Sequence, residues 1–414
     1  MNKKTLLLLV CSLALCCISC RKDGADQEAA MKDPNTIRFW HFWSEPTQKE
    51  ALLEVVEDFE KEFDCKVHLT ELSWNEGKVK LQAAFNSNTA PDVLELGSDW
   101  IAQFSSSGKL YQIPDGQNLL ANFVDFAQEP ARWKGAVYAL PWSVDTRVLF
   151  VNNDLLQRAG LPARAPQTFH EMQMASERIR MLGGEIYGFG ANGSDPNRLY
   201  KKILPMFWSY GGLVLNEAGR PTINSAENVR ALNQYLALSR SGLIDTQRQL
   251  DAAFAQGNIG FWFSGSWLIS KIERENPKLN YQAVLMPGVD SYPGYSFAGG
   301  EYLAISDASP KKELAMKFLR YMTEGKNALE FCKKVNEAGF PADRKFYNDA
   351  YFSSVKFRPV FAQQLEKAKM TPVHPRWLDI QQAIENAVEE ALLGQKSAQE
   401  ALNGAQAEAA SLTR

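Results

Sequence analysis

An α/β fold built from mainly parallel sheets is what the sequence predicts, on three observations. From Thr36 onward, short apolar runs alternate with stretches whose apolar residues recur at three- and four-residue steps, the pattern of repeated strand–helix units. Cap and breaker residues stand at the joints between them. The 414 residues, 45% hydrophobic and 22% charged, form an ordinary globular composition, long enough for two or three domains.

Each element has its local reason. Ile37–Phe42 is a short apolar strand that runs into Trp43. Ser44 is a good N-cap with Pro46 in the first turn, and Leu52, Leu53, Val56, Phe59 and Phe63 mark one buried helix face. Val67–Leu72 is the next strand, followed by a helix near Val79–Phe85. Pro91–Leu96 is a third strand, and Gly97-Ser98-Asp99 turns into a helix through Trp100, Ile101 and Phe104. Gly135–Pro141 and Val148–Val151 read as two further strands separated by 142–147. Helices follow around Asn153–Ala159 and from Thr168, then a strand near Tyr187, a polar loop at 190–197, and a helix carrying Met206, Phe207 and Trp208. Ser225 opens a helix to Ser239. Tyr281–Met286 and Gly299–Ile305 are strands, and a helix from Pro310 runs to Met322. The last third is helical, interrupted by Pro372, Pro375 and Trp377, with 395–414 a surface helix. No 20- to 50-residue repeat is present.

Ala255–Trp267 is the most informative stretch. Ile259, Phe261 and Phe263 share one strand face; Gly260, Trp262 and Ser264 share the other. At Ser264-Gly265-Ser266 the period changes to helical through Trp267, Leu268 and Ile272, and either serine is fit to cap. Ligands of open α/β sheets bind outside the carboxyl ends of strands. A core strand with large aromatics explains the same residues, so both readings stand.

Function classes narrow by exclusion. A formal charge of −3 supplies no basic excess for phosphates, which excludes a nucleic-acid partner. The four histidines (His41, His68, His170, His374) are scattered without metal-ligand spacing, so no metal site is expected. Gly188–Gly193 fits G-x-G-x-x-G as a string, but Ser194-Asp195-Pro196 follows instead of a helix, so a dinucleotide site is not expected. No P-loop or G-x-S-x-G elbow occurs. No cofactor is expected. Ten tryptophans are a rich supply of flat rings with one polar edge. Cys65 and Cys332 read as separate buried thiols and not a bridge.

Residues 1–20 resemble a bacterial lipoprotein signal. Lys3 and Lys4 form the charged start, Leu6–Leu15 an apolar run too short to span a bilayer, and Ile18-Ser19-Cys20 a small-residue end, although Cys17 replaces the usual leucine. Cleavage after residue 19 would leave Cys20 to be lipidated and hold the protein to the membrane, with 20–35 as a tether.

The chain also resembles the extracellular solute-binding proteins of sugar ABC importers, the family that includes maltose-binding protein. The residues that carry the resemblance are Ala90-Pro91-Asp92-Val93, Gly108-Lys109-Leu110, Tyr138-Ala139-Leu140-Pro141 and Asn152-Asn153-Asp154-Leu155-Leu156. They continue with Phe254-Ala255-Gln256-Gly257, Gly265-Ser266-Trp267, Gly299-Gly300 with Leu303-Ala304-Ile305, Pro310–Ala315 and Ala338–Ala342. In order they cover roughly residues 36–395. The resemblance implies a type II two-lobe fold with a hinge that the chain crosses more than once, lobe 1 being about 36–146 plus 287–342 and lobe 2 about 147–286 plus 343–414. It implies an exported, membrane-anchored monomer on the periplasmic or extracellular face, without enzymatic activity. Such a receptor captures a sugar by lobe closure and hands it to an ABC permease with its ATPase.

Sugar hydroxyls call for fixed carboxylates, amides and Arg forks, and the C–H faces for an aromatic plate. The carry-over places such groups at Trp43, Ser44, Glu45, Ser98, Asp99 and Trp100 after the first and third strands, and at Trp142 and Asp145 where the chain crosses. It adds Trp208, Ser264 and Trp267, the glycines Gly299 and Gly300 for backbone approach, and Arg344 and Trp377 at the cleft border. Capping alone accounts for Ser44 and Asp99, a helix-dipole charge for Glu45, and core packing for Trp142 and Trp208. Two alternatives stay open: an exported glycoside-cleaving enzyme using Glu45 and Asp99, and the same fold holding a polyamine, a metal chelate or an oxoanion.

Overall fold

A computed structural model describes residues 30, 32–74 and 76–413; the signal, most of the tether and the lipidation expected at Cys20 lie outside the described residues. The strands, in chain order, are Thr36–His41 (β1), Lys66–Glu71 (β2), Val93–Gly97 (β3), Arg132–Trp133 (β4), Ala136–Val137 (β5), Ala139–Thr146 (β6), Val148–Asn152 (β7), Tyr187–Asn192 (β8), Gly242–Asp245 (β9), Ile259–Ser264 (β10), Tyr281–Val284 (β11), Ser296–Ile305 (β12), Phe340–Pro341 (β13) and Ala368–Lys369 (β14). One sheet has the order β13-β6-β12-β3-β1-β2 with β14 on β12, the other β11-β7-β10-β8-β9, and β4-β5 form a small ribbon.

Two lobes follow from this division, one around each large sheet. Pairing is parallel within the strand–helix runs, β2-β1-β3 and β10-β8-β9. It is antiparallel where strands arrive from the other lobe, as for β12 on β3 and β6 and for β7 on β10 and β11. Each sheet is therefore mixed. Arg147 alone separates β6 in the first sheet from β7 in the second, and the chain returns between β11 and β12. The two crossings run side by side: Thr146 Oγ1 donates to the Phe297 carbonyl (2.7 Å) and Ser296 Oγ to the Arg147 carbonyl (2.7 Å). β14 comes from the stretch assigned to lobe 2 yet pairs with β12 in the first sheet. The helix Trp377–Leu392 packs on Ile101–Ser106 from the first lobe and on Tyr200–Ser209 and Ala226–Ser239 from the second.

Several local expectations are corrected. β6 runs unbroken through 142–146, because Ser143 and Val144 are paired on both sides by β12 and β13 and Asp145 by β12. β8 extends through Asn192, into the expected polar loop. Its glycines serve packing: a Cβ on Gly188 would stand 2.1 Å from the Ser176 carbonyl oxygen, and one on Gly190 would stand 2.9 Å from the Trp262 ring. That close approach accounts for the G-x-G string without a nucleotide. Glu45, not Ser44, is the N-cap of Pro46–Phe63, with its N–H donating to Gln48 Oε1 (3.2 Å). Leu53 points off the buried face and is 46% exposed. Trp377 begins a helix and does not interrupt one. Thr168 and Ser225 cap their helices as expected, accepting from Glu171 N (3.1 Å) and Asn228 N (3.3 Å).

β10 is buried at every residue between β7 and β8, which is why both of its faces are apolar. Cys65 and Cys332 are separate buried thiols. No helix among the described residues is long and apolar enough to cross a membrane.

Candidate functional site

The site lies where the carboxyl ends of the first sheet meet the second lobe. Register builds its floor. Opposite residues of an antiparallel pair point to one face, so Glu301 opposite Gly97 and Ser143, Glu95 opposite Leu303, and Asp145 opposite Gly299 share a side of the sheet. Glu95 Oε2 accepts from the Phe42 N–H (2.9 Å), whereas Glu95 Oε1 and Glu301 Oε2 have no partner. Burial pushes the Glu95 carboxyl up to about 8. Glu301 is held well above the usual carboxylate range, first by burial and then by the nearby Glu95 and Asp145. Glu95 therefore favours the protonated form at neutral pH and can donate, while charged carboxylates are acceptors only.

The second lobe contributes Arg147, Tyr200 and Lys201. Tyr200 Oη donates to Asp99 Oδ2 (3.1 Å), and the Tyr200 backbone N–H donates to Glu385 Oε1 (3.2 Å). Burial raises Glu385 to about 7. The Lys201 ammonium lies 5.4–5.9 Å from the ring centres of Phe297, Tyr200 and Trp74. Burial lowers its pKa, against the opposing pull of Asp99. The Arg147 guanidinium pairs with Asp145 and lies over the rings of Trp267 (4.6 Å) and Phe297 (5.5 Å). Arg147 Nε has no partner.

Placed in this frame, the sequence-derived residues separate. Asp99, Asp145 and Trp267 come together around Arg147, Tyr200 and Lys201. Ser98 stands beside them, its N–H bonded to the Gly300 carbonyl (3.0 Å). Gly299 and Gly300 line β12, but a Cβ on Gly300 would stand 2.3 Å from the Ser143 carbonyl oxygen and one on Gly299 2.6 Å from Phe297. The neighbouring strand already requires Gly300, and the Phe297 ring of the same strand requires Gly299.

Trp43 and Trp142 are buried with Phe331, Trp142 stacked on it at 4.5 Å and Trp43 edge-on at 5.1 Å. Trp100 is buried edge-on to Phe42 and Trp74, each at 5.7 Å. Trp208 is buried in Tyr200–Ser209, and Trp377 is buried edge-on to Tyr200 (6.2 Å). These five rings are packed as core in this conformation. Glu45 is exposed at its helix start, and Ser44 is exposed beside it. Ser266 stands at the N-cap position of Trp267–Glu275, but its backbone is helical and its side chain accepts no helix N–H; Ser264 Oγ donates to Asp251 Oδ1 (2.8 Å) and Ser266 Oγ to the Asn336 carbonyl (2.8 Å). Arg344 is drawn away from the cluster, because its Nη2 is committed to Asp125 Oδ1 (2.7 Å) and the Phe123 carbonyl (2.9 Å).

Sequence reading missed Glu95, Arg147, Tyr200, Lys201, Asp251, Glu301 and Glu385. A signal existed for some of them. Glu95 and Glu301 interrupt otherwise apolar strands, and Lys201-Lys202 precede Ile203-Leu204 in an apolar helix; buried charges are costly unless paired or used. Among the described residues, no group of His, Cys, Asp and Glu is arranged to hold a metal ion.

Comparison with known proteins places the molecule. Residues 43–328 match the bacterial extracellular solute-binding protein family, and the chain belongs to that family. A putative binding protein of Brucella abortus is 24% identical over 81% of this chain and 83% of its own length. The maltodextrin-binding protein of Bacillus subtilis is 27% identical over 87% of each. Among solved structures, an ABC transporter solute-binding protein from Thermotoga lettingae, bound with α-D-tagatose, superposes with a TM-score of 0.81 at 22% identity. That match covers 92% of this chain and all of the other.

Proposed function

We propose that the protein is an extracytoplasmic carbohydrate receptor that captures a sugar or oligosaccharide between its lobes and delivers it to an ABC permease and its ATPase. The observation that carries the reading is the meeting of Asp99, Asp145 and Glu301 from one lobe with Trp267, Arg147 and Lys201 from the other. Ionised carboxylates accept from sugar hydroxyls, protonated Glu95 donates to them, and the indole offers an apolar surface to C–H groups. The unpartnered Glu95 Oε1, Glu301 Oε2 and Arg147 Nε are groups that a hydroxyl-rich ligand can satisfy. The Bacillus subtilis relative, named for maltodextrin, supports a sugar.

In this reading the protein works as a monomer by binding and not by catalysis. Cys20 carries the lipid that holds it at the membrane, and 20–35 gives it reach. Titration of the purified protein with glucose, galactose, maltodextrins, cellobiose and chitobiose, followed by tryptophan fluorescence and calorimetry, tests it. At least one sugar should saturate a single site and be recovered unchanged. Failure of every sugar to bind, or its cleavage, would count against the reading.

A further inference from the structure

Asp251 is a buried carboxylate, 5% exposed, on the helix Gln247–Ala255. It accepts three side-chain hydrogen bonds: Trp262 Nε1 to Oδ1 (2.7 Å), Ser264 Oγ to Oδ1 (2.8 Å) and Trp267 Nε1 to Oδ2 (2.9 Å). All three donors belong to β10 and to the helix Trp267–Glu275 that follows it. A buried carboxylate persists where its oxygens are filled and a countercharge stands near. Burial raises the Asp251 carboxyl, and the bonds from Trp262 and Ser264, the nearby Lys202 and the bond from Trp267 oppose that rise; Lys202, whose own pKa burial lowers, lies 5.3 Å from the Trp262 ring centre.

These bonds fix the indole of Trp267 from its N–H edge. Gly265 gives the ring room, since a Cβ there would stand 1.9 Å from a ring carbon. Over the ring lies the Arg147 guanidinium, itself paired with Asp145 across the hinge. A continuous set of contacts thus joins the interior of the second lobe to the hinge-side carboxylate of the first.

We propose that Asp251 is a positioning residue for ligand capture: by accepting from the Trp267 indole it sets the ring plane that Arg147 and the sugar both use, without touching the ligand. This rests on the receptor reading of the cleft.

Asp251→Asn gives a selective test. The amide oxygen still serves Trp262 and Ser264, while the amide nitrogen faces Trp267 and cannot accept. With the sugar that saturates the wild type most tightly, Asp251→Asn should weaken binding about tenfold. In a Trp267→Phe background, which keeps a ring but lacks the donor, the same change should cost nothing further. Nitrogen-15 spectra of the indole N–H groups provide a readout independent of ligand. In Asp251→Asn the Trp267 resonance should shift and exchange faster with solvent, while that of Trp262 stays protected. An unmoved Trp267 resonance, or an equal loss of affinity in the Trp267→Phe background, would overturn the proposal. If the wild type binds no sugar, the receptor reading fails on its own and the indole spectrum still decides the role of Asp251.

Discussion

Glu95 lies in the middle of an apolar strand with one oxygen bonded to a backbone N–H and the other unpartnered. Its folded pKa, raised to about 8 by burial, exceeds that of the exposed unfolded chain, so the native state binds more protons between roughly pH 4.5 and 8. The Glu95 contribution therefore lowers stability as pH rises through that window and is constant above it. Glu95→Gln keeps the acceptor for Phe42 and removes the titration. Thermal melts from pH 5 to 9 should show a smaller loss of Tm with rising pH in the variant, the difference growing up to about pH 8 and constant above it. Parallel profiles would show that the burial of this carboxyl does not govern the dependence.

At the scale of the element, β10 and its following helix show how far a sequence can be read. The alternation of Ile259, Phe261 and Phe263 against Gly260, Trp262 and Ser264 placed a strand there, and the structure shows it buried on both faces. What the pattern does not reveal is the partner. Asp251 is only a helix residue until Trp262, Ser264 and Trp267 converge on it, and that convergence depends on the register of β10 against β7 and β8. The same limit applies to caps: a serine beside a turn can cap, but Ser266 at the N-cap position has helical backbone angles and its side chain accepts no helix N–H. Where the donors were local, as for Ser225, the cap was legible. Ser225→Ala should lower stability by about 1 kcal/mol, read from denaturant unfolding. Phe261, with no exposure, belongs to the core, and Phe261→Ala should cost about 3–5 kcal/mol while the folded fraction keeps its binding site.

For the whole molecule, the strand order fixes where motion is possible. The crossings at Arg147 and before Ser296 lie side by side and are hydrogen-bonded to each other, so the lobes share a narrow hinge. Across the cleft, Tyr200 to Asp99 and Ser266 to Asn336 hold the lobes together. Tyr200→Phe keeps the ring and removes the first of these bonds; without ligand it should give a larger radius of gyration in X-ray scattering than the wild type, and an unchanged value would show that this bond does not hold the closed form. The two-lobe plan came from the family resemblance, whereas the alternation of strands and helices made the α/β class legible. The expected ligand residues were only partly so, because whether Trp100, Trp142 or Trp377 faces the cleft or the core is decided by packing between segments far apart in sequence.

The central claim is that a sugar is captured between the lobes at Trp267 and Asp145. Calorimetric titration of wild type, Trp267→Ala and Phe261→Ala with the same saturating sugar tests it most directly. The expected result is single-site binding by the wild type, retained in folded Phe261→Ala and weakened at least tenfold in Trp267→Ala with little change in Tm. Wild-type affinity in Trp267→Ala, or no saturable binding in any of the three, would contradict it.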